Sequence, residues 1–319
     1  MTATAATRPR ALDPAKFRDP NVTARGEPRA RVALRALKTL WFNTGTLCNL
    51  TCRNCYIESS PTNDRLSYLS AADARAYLDE IAARGLPTEE IGFTGGEPFM
   101  NPDLPAMLED ALDRGFRVLV LTNAMKPMMK RAEALLRLHG RFGERLTIRV
   151  SVDHYARALH QMERGERSWE PAMEGLDWLT RHGFTVRIAG RTAWNEDEAS
   201  LRRGYARLFA ERGIALDAHD LAHLVLFPEM DAQVDVPEIT TACWSILKRS
   251  PDAMMCASSR MVVKRKGAER PAVIACTILP YDPQFELGAT LAEAAGEVKL
   301  NHPHCARFCV LGGASCSAA

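Results

Sequence analysis

Apolar runs and amphipathic stretches alternate along this chain from residue 37 onward. A short apolar run rich in β-favouring residues predicts a strand over 37–44. Ser70 and Asp73 have the spacing of a capping box, and 74–84 continues as an amphipathic helix stopped by Gly85. The same alternation predicts strands at 90–93, 118–121, 146–152 and 185–189. Helices are predicted at 102–114, 127–139, 169–182 and 196–212. Gly115, Gly183 and Gly213 stand just past three of them, where a left-handed residue ends a helix. A sixth strand is expected near 221–227.

Strands separated by helices of this length pair in parallel through right-handed crossovers. About six βα units fit 37–235, fewer than the eight of a closed barrel. The expected fold is α/β, a partial (β/α)6 TIM-like barrel, preferred to a flat doubly wound sheet. In either architecture the chemistry belongs at the C-terminal ends of the strands.

The pattern changes after Pro237. Residues 260–266 and 271–275 are β-like runs joined by a turn at Gly267, which predicts a hairpin. A short helix is expected at 291–295. The chain then divides into an arm (1–36), the barrel (37–236) and a small cysteine-rich extension (237–319). The arm, rich in Ala, Arg and Pro, reads as poorly ordered in part. Asp13, Asp19 and Glu27 interrupt its basic pattern, which favours a surface tail or a lead-in to the first strand over a targeting peptide.

Composition narrows the field without naming a function. The 319 residues are 46% hydrophobic and 25% charged, ordinary for a globular protein. A formal net charge of +2 gives no reason to expect nucleic acid or an anionic membrane as partner. No apolar stretch approaches the roughly 20 residues of a membrane helix, and no secretory signal is visible, so a cytoplasmic home is expected.

The nine cysteines change the picture. Cys48, Cys52 and Cys55 are clustered just after the first strand, and Cys243, Cys256, Cys276, Cys305, Cys309 and Cys316 all follow residue 240. Two separated clusters in a signal-free chain point to metal binding in a reducing compartment rather than to disulfides. Iron–sulfur cubanes are usually held by four cysteines. Three leave one iron open, the mark of a reactive site. Zinc with three cysteines and a fourth ligand is the rival, although no nearby histidine completes such a site.

The Cys-x3-Cys-x2-Cys loop resembles the signature of the radical S-adenosylmethionine (radical SAM) superfamily. Gly92–Pro98 (Gly-Phe-Thr-Gly-Gly-Glu-Pro) follows the second strand, Leu-Thr-Asn at 121–123 ends the third, and Ser-Val-Asp at 151–153 ends the fourth. That is the family's order, over about residues 37–230. The resemblance implies an enzyme that reductively cleaves S-adenosylmethionine to a 5′-deoxyadenosyl radical, which takes a hydrogen atom from a substrate. It implies a [4Fe–4S] cluster on Cys48, Cys52 and Cys55. Gly95, Gly96 and Glu97 are then expected around the cofactor's amino group, with paired glycines allowing close approach and the Glu97 carboxylate suiting an ammonium. Ser151 and Asp153 are expected near its ribose or carboxylate end, with Asn123 as a further contact. Taken alone, Ser151 and Asp153 also suit a strand end and a helix cap. Many members carry an aromatic residue before the third cysteine. Asn54 stands there, and Tyr56 comes after, so the adenine contacts do not carry over.

The tail resembles the SPASM and twitch extensions of part of that superfamily: a cysteine, a Gly-containing hairpin, a second cysteine, a helix and a cysteine-rich end. The resemblance implies one auxiliary [4Fe–4S] cluster on Cys256, Cys276 and two of Cys305, Cys309 and Cys316, with Cys305 and Cys309 favoured. Cys243 or Cys316 is then a spare thiol, either a hydrogen-atom donor or a small apolar side chain. His302 and His304 are ligand candidates that also suit a surface loop, and Arg187 and Arg191 suit either a carboxylate partner or solvent.

The implied electron donor is a flavodoxin or ferredoxin. The substrate is a small metabolite by preference, because the arm is short for a winged peptide-recognition domain, with a peptide or protein as the alternative. A non-catalytic iron–sulfur electron carrier or zinc module is the rival class. An electron carrier has no use for the Gly-Gly-Glu-Pro cradle.

Overall fold

A computed structural model describes residues 10–313. The strands, in chain order, are β1 (Arg31–Val32), β2 (Thr39–Asn43), β3 (Glu90–Thr94), β4 (Arg117–Thr122), β5 (Leu146–Ser151), β6 (Thr185–Arg191), β7 (Leu224–Phe227), β8 (Ser259–Val263), β9 (Ala272–Ile274), β10 (Glu286–Gly288) and β11 (Val298–Lys299). The helices are α1 (Ala71–Arg84), α2 (Leu104–Asp113), α3 (Lys126–Met129), α4 (Ala132–Phe142), α5 (Arg157–Arg164), α6 (Trp169–Arg181), α7 (Glu198–Arg212) and α8 (Cys243–Ile246).

Among the described residues, β2 to β7 lie side by side in chain order, all parallel, as the alternation of strands and helices requires. They form an open sheet, and no closed barrel results. The strands are buried on both faces (Leu40, Phe42, Ile91, Phe93, Val118, Val120, Ile148, Val150 and Ile188 on one, Trp41 and Leu119, with Met261 of β8, on the other), which is why they read as continuous apolar runs. The capping box at α1 forms as expected: the Ser70 hydroxyl accepts from the Asp73 amide at 3.1 Å and the Asp73 carboxylate accepts from the Ser70 amide at 3.0 Å.

Three features differ from expectation. The helix expected at 127–139 is two, because Arg131 leaves helical geometry between α3 and α4 (φ −107°). The helix expected at 291–295 is a single 3-10 turn, Glu293–Ala295. The Leu291 and Ala292 amides bond at 2.9 Å to the Glu80 carboxylate on α1, and the Ala289 amide at 2.6 Å to Glu293, so carboxylates take donors that would otherwise start a helix. Helix α5 was not expected at all. Its buried residues are His160 and Glu163, so it carries no apolar stripe to betray it.

The tail adds strands to the sheet of the barrel. The hairpin β8–β9 forms, and β8 pairs parallel with β2, so among the described residues nine strands share one sheet in the order β10-β9-β8-β2-β3-β4-β5-β6-β7. Residues 10–36, expected to be partly disordered, are laid against residues 233–235 at the end of the barrel segment and then against the tail. β1 pairs with β11, and isolated bridges join Ala11 to Val234 and Arg29 to Thr240. The Arg29 guanidinium is fully buried and pairs at 2.6 Å with Glu238. A cation enclosed in this way needs its partner, which ties the arm down.

Candidate active site

The loop after β2 carries Cys48, Cys52 and Cys55 to the C-terminal end of the sheet. There they line one cavity, of about 1110 Å³ counting its open mouth, together with Gly95, Gly96, Asn123, Ser151 and Asp153. These residues come from the ends of β2, β3, β4 and β5, so parallel pairing is what collects them. Thr277 and Ile278, just after Cys276, close the cavity on the tail side.

The two glycines line the cavity and also meet a packing demand. A Cβ on Gly96 would lie 2.2 Å from the Leu47 carbonyl oxygen, and one on Gly95 would lie 2.5 Å from that of Gly45. The Gly96 amide bonds to the Gly45 carbonyl at 2.8 Å and the Glu97 amide to that of Leu47 at 3.1 Å. The paired glycines let the β3 loop approach the start of the cysteine loop, backbone against backbone, while also facing the cavity.

Glu97 is likewise a brace. Its carboxylate is buried and accepts from the Thr122 hydroxyl at 2.8 Å, the Asn123 amide at 2.9 Å and the Phe99 amide at 3.2 Å. It is not among the residues that line the cavity wall. Burial pushes its carboxyl up to about 7, against the pull of the hydrogen bonds from Asn123, Thr122 and Phe99. The folded state therefore keeps a proton that the unfolded chain gives up near pH 4.5. Stability falls as pH rises from about 4.5 to about 7, by roughly 3 kcal/mol in all. Urea unfolding of the apo-protein should show the wild type losing that amount relative to Glu97→Gln across this window. A stability difference that stays flat with pH would contradict the buried carboxyl.

Asn123 faces the cavity and also donates at 2.9 Å to the Asn49 side chain in the cysteine loop. Asp153 is paired with Arg164 on α5 at 2.6 Å, the two side chains being 6% and 13% exposed. Burial works against the charge on Arg164, yet Asp153 and the Cys52 and Cys48 thiols hold its pKa above the ordinary value. Arg164 lines the cavity and was missed with its helix. Arg191, at the end of β6, lines it too, whereas Arg187 is half-buried and off its wall.

The donor set suits an inorganic cluster. Burial pushes the Cys48 thiol up to about 12 and raises that of Cys52. Such thiols ionise when a bound cation supplies the charge. Backbone amides already point at two of the sulfurs, Leu50 at Cys48 (3.4 Å) and Ser59 at Cys55 (3.3 Å), as amides do toward cluster thiolates. Among the described residues no three His, Cys, Asp or Glu side chains converge on a single ion, so the thiols ring a cavity rather than a point.

A second cavity, of about 400 Å³, is lined by Cys256, Cys276, Cys305 and Cys309, with His304 beside them. Cys305 and Cys309 lie on the π-helical turn Cys305–Leu311. Burial raises Cys256 to about 11 and raises Cys305 further, the neighbouring thiols adding to the effect on Cys305. His304, expected in a surface loop or as a ligand, has a buried Nδ1 and is pushed down to about 4 by burial. Its neighbour His302 accepts from the His304 amide at 3.1 Å. Cys243 borders neither cavity and is bonded by the Thr240 amide at 3.3 Å. Cys316 lies outside the described residues. Ile278 lines both cavities, so one segment separates the two cysteine sets.

The Radical SAM superfamily model matches residues 42–201, half of the chain. The chain belongs to the radical SAM superfamily. AlbA of Bacillus subtilis, an antilisterial bacteriocin subtilosin biosynthesis protein, is 32% identical over 143 residues, covering 44% of this chain and 30% of AlbA. The Fe-coproporphyrin III synthase of Methanosarcina barkeri is 27% identical over 145 residues, covering 46% of this chain and 34% of that enzyme. The chain thus spans about a third of the length of these two relatives. Among solved structures, Streptococcus suis SuiB bound to S-adenosylmethionine superposes with a TM-score of 0.58 at 14% identity, over 80% of this chain and 64% of SuiB. That likeness shows that the two chains share a fold. No helix among the described residues is long and apolar enough to cross a membrane.

Proposed function

We propose that this chain is a radical SAM enzyme that reductively cleaves S-adenosylmethionine and abstracts a hydrogen atom from an organic substrate. The observation that carries the reading is the single cavity shared by Cys48, Cys52, Cys55, Ser151, Asp153 and Arg164. A [4Fe–4S] cluster bound by the three thiols would supply the electron that breaks the sulfur–C5′ bond. Ser151 and Arg164 offer a hydroxyl and a guanidinium suited to the cofactor's carboxylate. Asp153 holds Arg164 in place and offers an acceptor for a ribose hydroxyl. Leu121, Ile57 and Phe227 give the cavity apolar walls that exclude water from a reactive radical.

Cys256, Cys276, Cys305 and Cys309 supply four thiols, the number one auxiliary cubane needs. The substrate is a small molecule by first choice. A peptide is the second reading, favoured by AlbA, a bacteriocin biosynthesis protein, and by SuiB, solved with the precursor peptide SuiA. A flavodoxin or ferredoxin fits as electron donor, and the arm, barrel and tail divide near residues 36 and 236.

The test is anaerobic reconstitution followed by S-adenosylmethionine and dithionite, with 5′-deoxyadenosine measured by liquid chromatography. About eight irons per chain and product are expected. Fully loaded protein that makes none would end the enzyme reading.

A further inference from the structure

The Arg53–Asn54 stretch of the cysteine loop is gripped by two charged side chains from distant elements. Glu163, near the end of α5, accepts from the Asn54 amide at 2.8 Å and from the Asn54 side-chain amide at 3.0 Å. The Glu163 carbonyl accepts from the Arg53 amide at 2.8 Å. Arg191, at the end of β6, donates to the Asn54 carbonyl at 2.9 Å and pairs with Glu163 at 3.0 Å. The Glu163 and Arg191 side chains are 3% and 8% exposed. The Arg191 guanidinium also lies over the Tyr56 ring, 4.8 Å from its centre.

We propose that Glu163 and Arg191 are positioning residues for the N-terminal cysteine trio. Their ion pair fixes the peptide groups on both sides of Asn54, so that Cys52 and Cys55 face one cavity before any cofactor arrives. Asn54 is the loop's handle: its amide, its carbonyl and its side-chain NH2 are all engaged. This accounts for a small amide at a position where an aromatic ring would stack on a ligand. A buried ion pair is a poor source of net stability, and fixing one conformation is its better-attested use. Preorganised ligands bind without first ordering a loop, so the grip acts on cluster uptake and on cofactor binding. The inference rests on the assignment of the trio to a SAM-binding cluster.

The test uses full-length protein, reconstituted and reduced without oxygen, and follows the part of the electron paramagnetic resonance spectrum that shifts when S-adenosylmethionine is added. Asn54→Asp should lower that component about tenfold, because a second carboxylate would then face Glu163. Glu163→Gln alone should lower the component about threefold, because Arg191 loses the Glu163 counter-charge, and adding it to Asn54→Asp should raise that variant's signal to about the same level, since only one carboxylate then remains between the two side chains. Asn54→Ala should shift or weaken the component while leaving the circular dichroism of the apo-protein unchanged. This variant removes one side chain from a half-buried loop and keeps the question open to measurement if buried variants misfold. Wild-type signals in Asn54→Asp and Asn54→Ala, or no recovery in the double variant, would overturn the proposal. A wild-type chain lacking any SAM-responsive component would instead remove the functional reading, and this inference with it.

Discussion

Cys52→Ala is expected to abolish 5′-deoxyadenosine formation, a loss well beyond a hundredfold, and to erase the SAM-responsive cluster signal. Removing a mere supporting partner of a metal ligand costs about 10–100-fold, so removing a ligand from a set of three costs more. Cys52 lies between its two partners in sequence and beside Arg164 in space. Any other side chain there leaves two thiols, too few to hold a cubane with one open corner. The fold should survive, because Cys52 is only half-buried and packs in neither apolar core. Urea unfolding of the apo-protein should therefore be unchanged within about 1 kcal/mol. Product formation at wild-type rate would detach the trio from the chemistry. By contrast, Cys276→Ala should spare the SAM-responsive signal and halve the iron, since its cavity is the other one.

The second large effect is on stability. Asp153→Asn should cost about 3–5 kcal/mol, because it leaves the Arg164 cation enclosed without its counter-charge. The midpoint of urea unfolding reports this directly. The double replacement Asp153→Leu with Arg164→Met should recover most of the loss, since no charge is then stranded. It should still make no 5′-deoxyadenosine, because the cavity would have lost both polar groups at that end. A double variant as unstable as the single one would show that a stranded Arg164 charge is not what destabilises Asp153→Asn.

The strands and most helices were legible because each buries an apolar run or stripe, and hydrophobic period is what sequence displays. The motif residues were legible for another reason: parallel pairing brings strand ends together wherever they fall in the chain. Side-chain orientation was not legible. The motif gives no sign that the Glu97 carboxylate accepts from the Thr122 hydroxyl and the Asn123 amide, which the β3–β4 packing brings to it. Helix α5 escaped because its inward face carries His160 and Glu163 in place of leucines, and with it went Glu163 and Arg164. Arg191 was visible only as a charge at a strand end. The union of the tail hairpin with β2 had no local signal, since β8 reads the same whether it pairs with the barrel or stands apart.

That union bears on how the protein is made. β2 is synthesised early, but one of its hydrogen-bonding edges waits for β8, and Thr39 meets Ser259. At about 5–20 residues per second, the ribosome takes roughly 10–45 s to deliver the missing strand. For that interval the nascent chain exposes an apolar strand edge, the kind of surface that recruits neighbours and seeds aggregates. Slow translation or truncation before residue 259 should therefore yield chains that depend on chaperones, well before any iron is inserted.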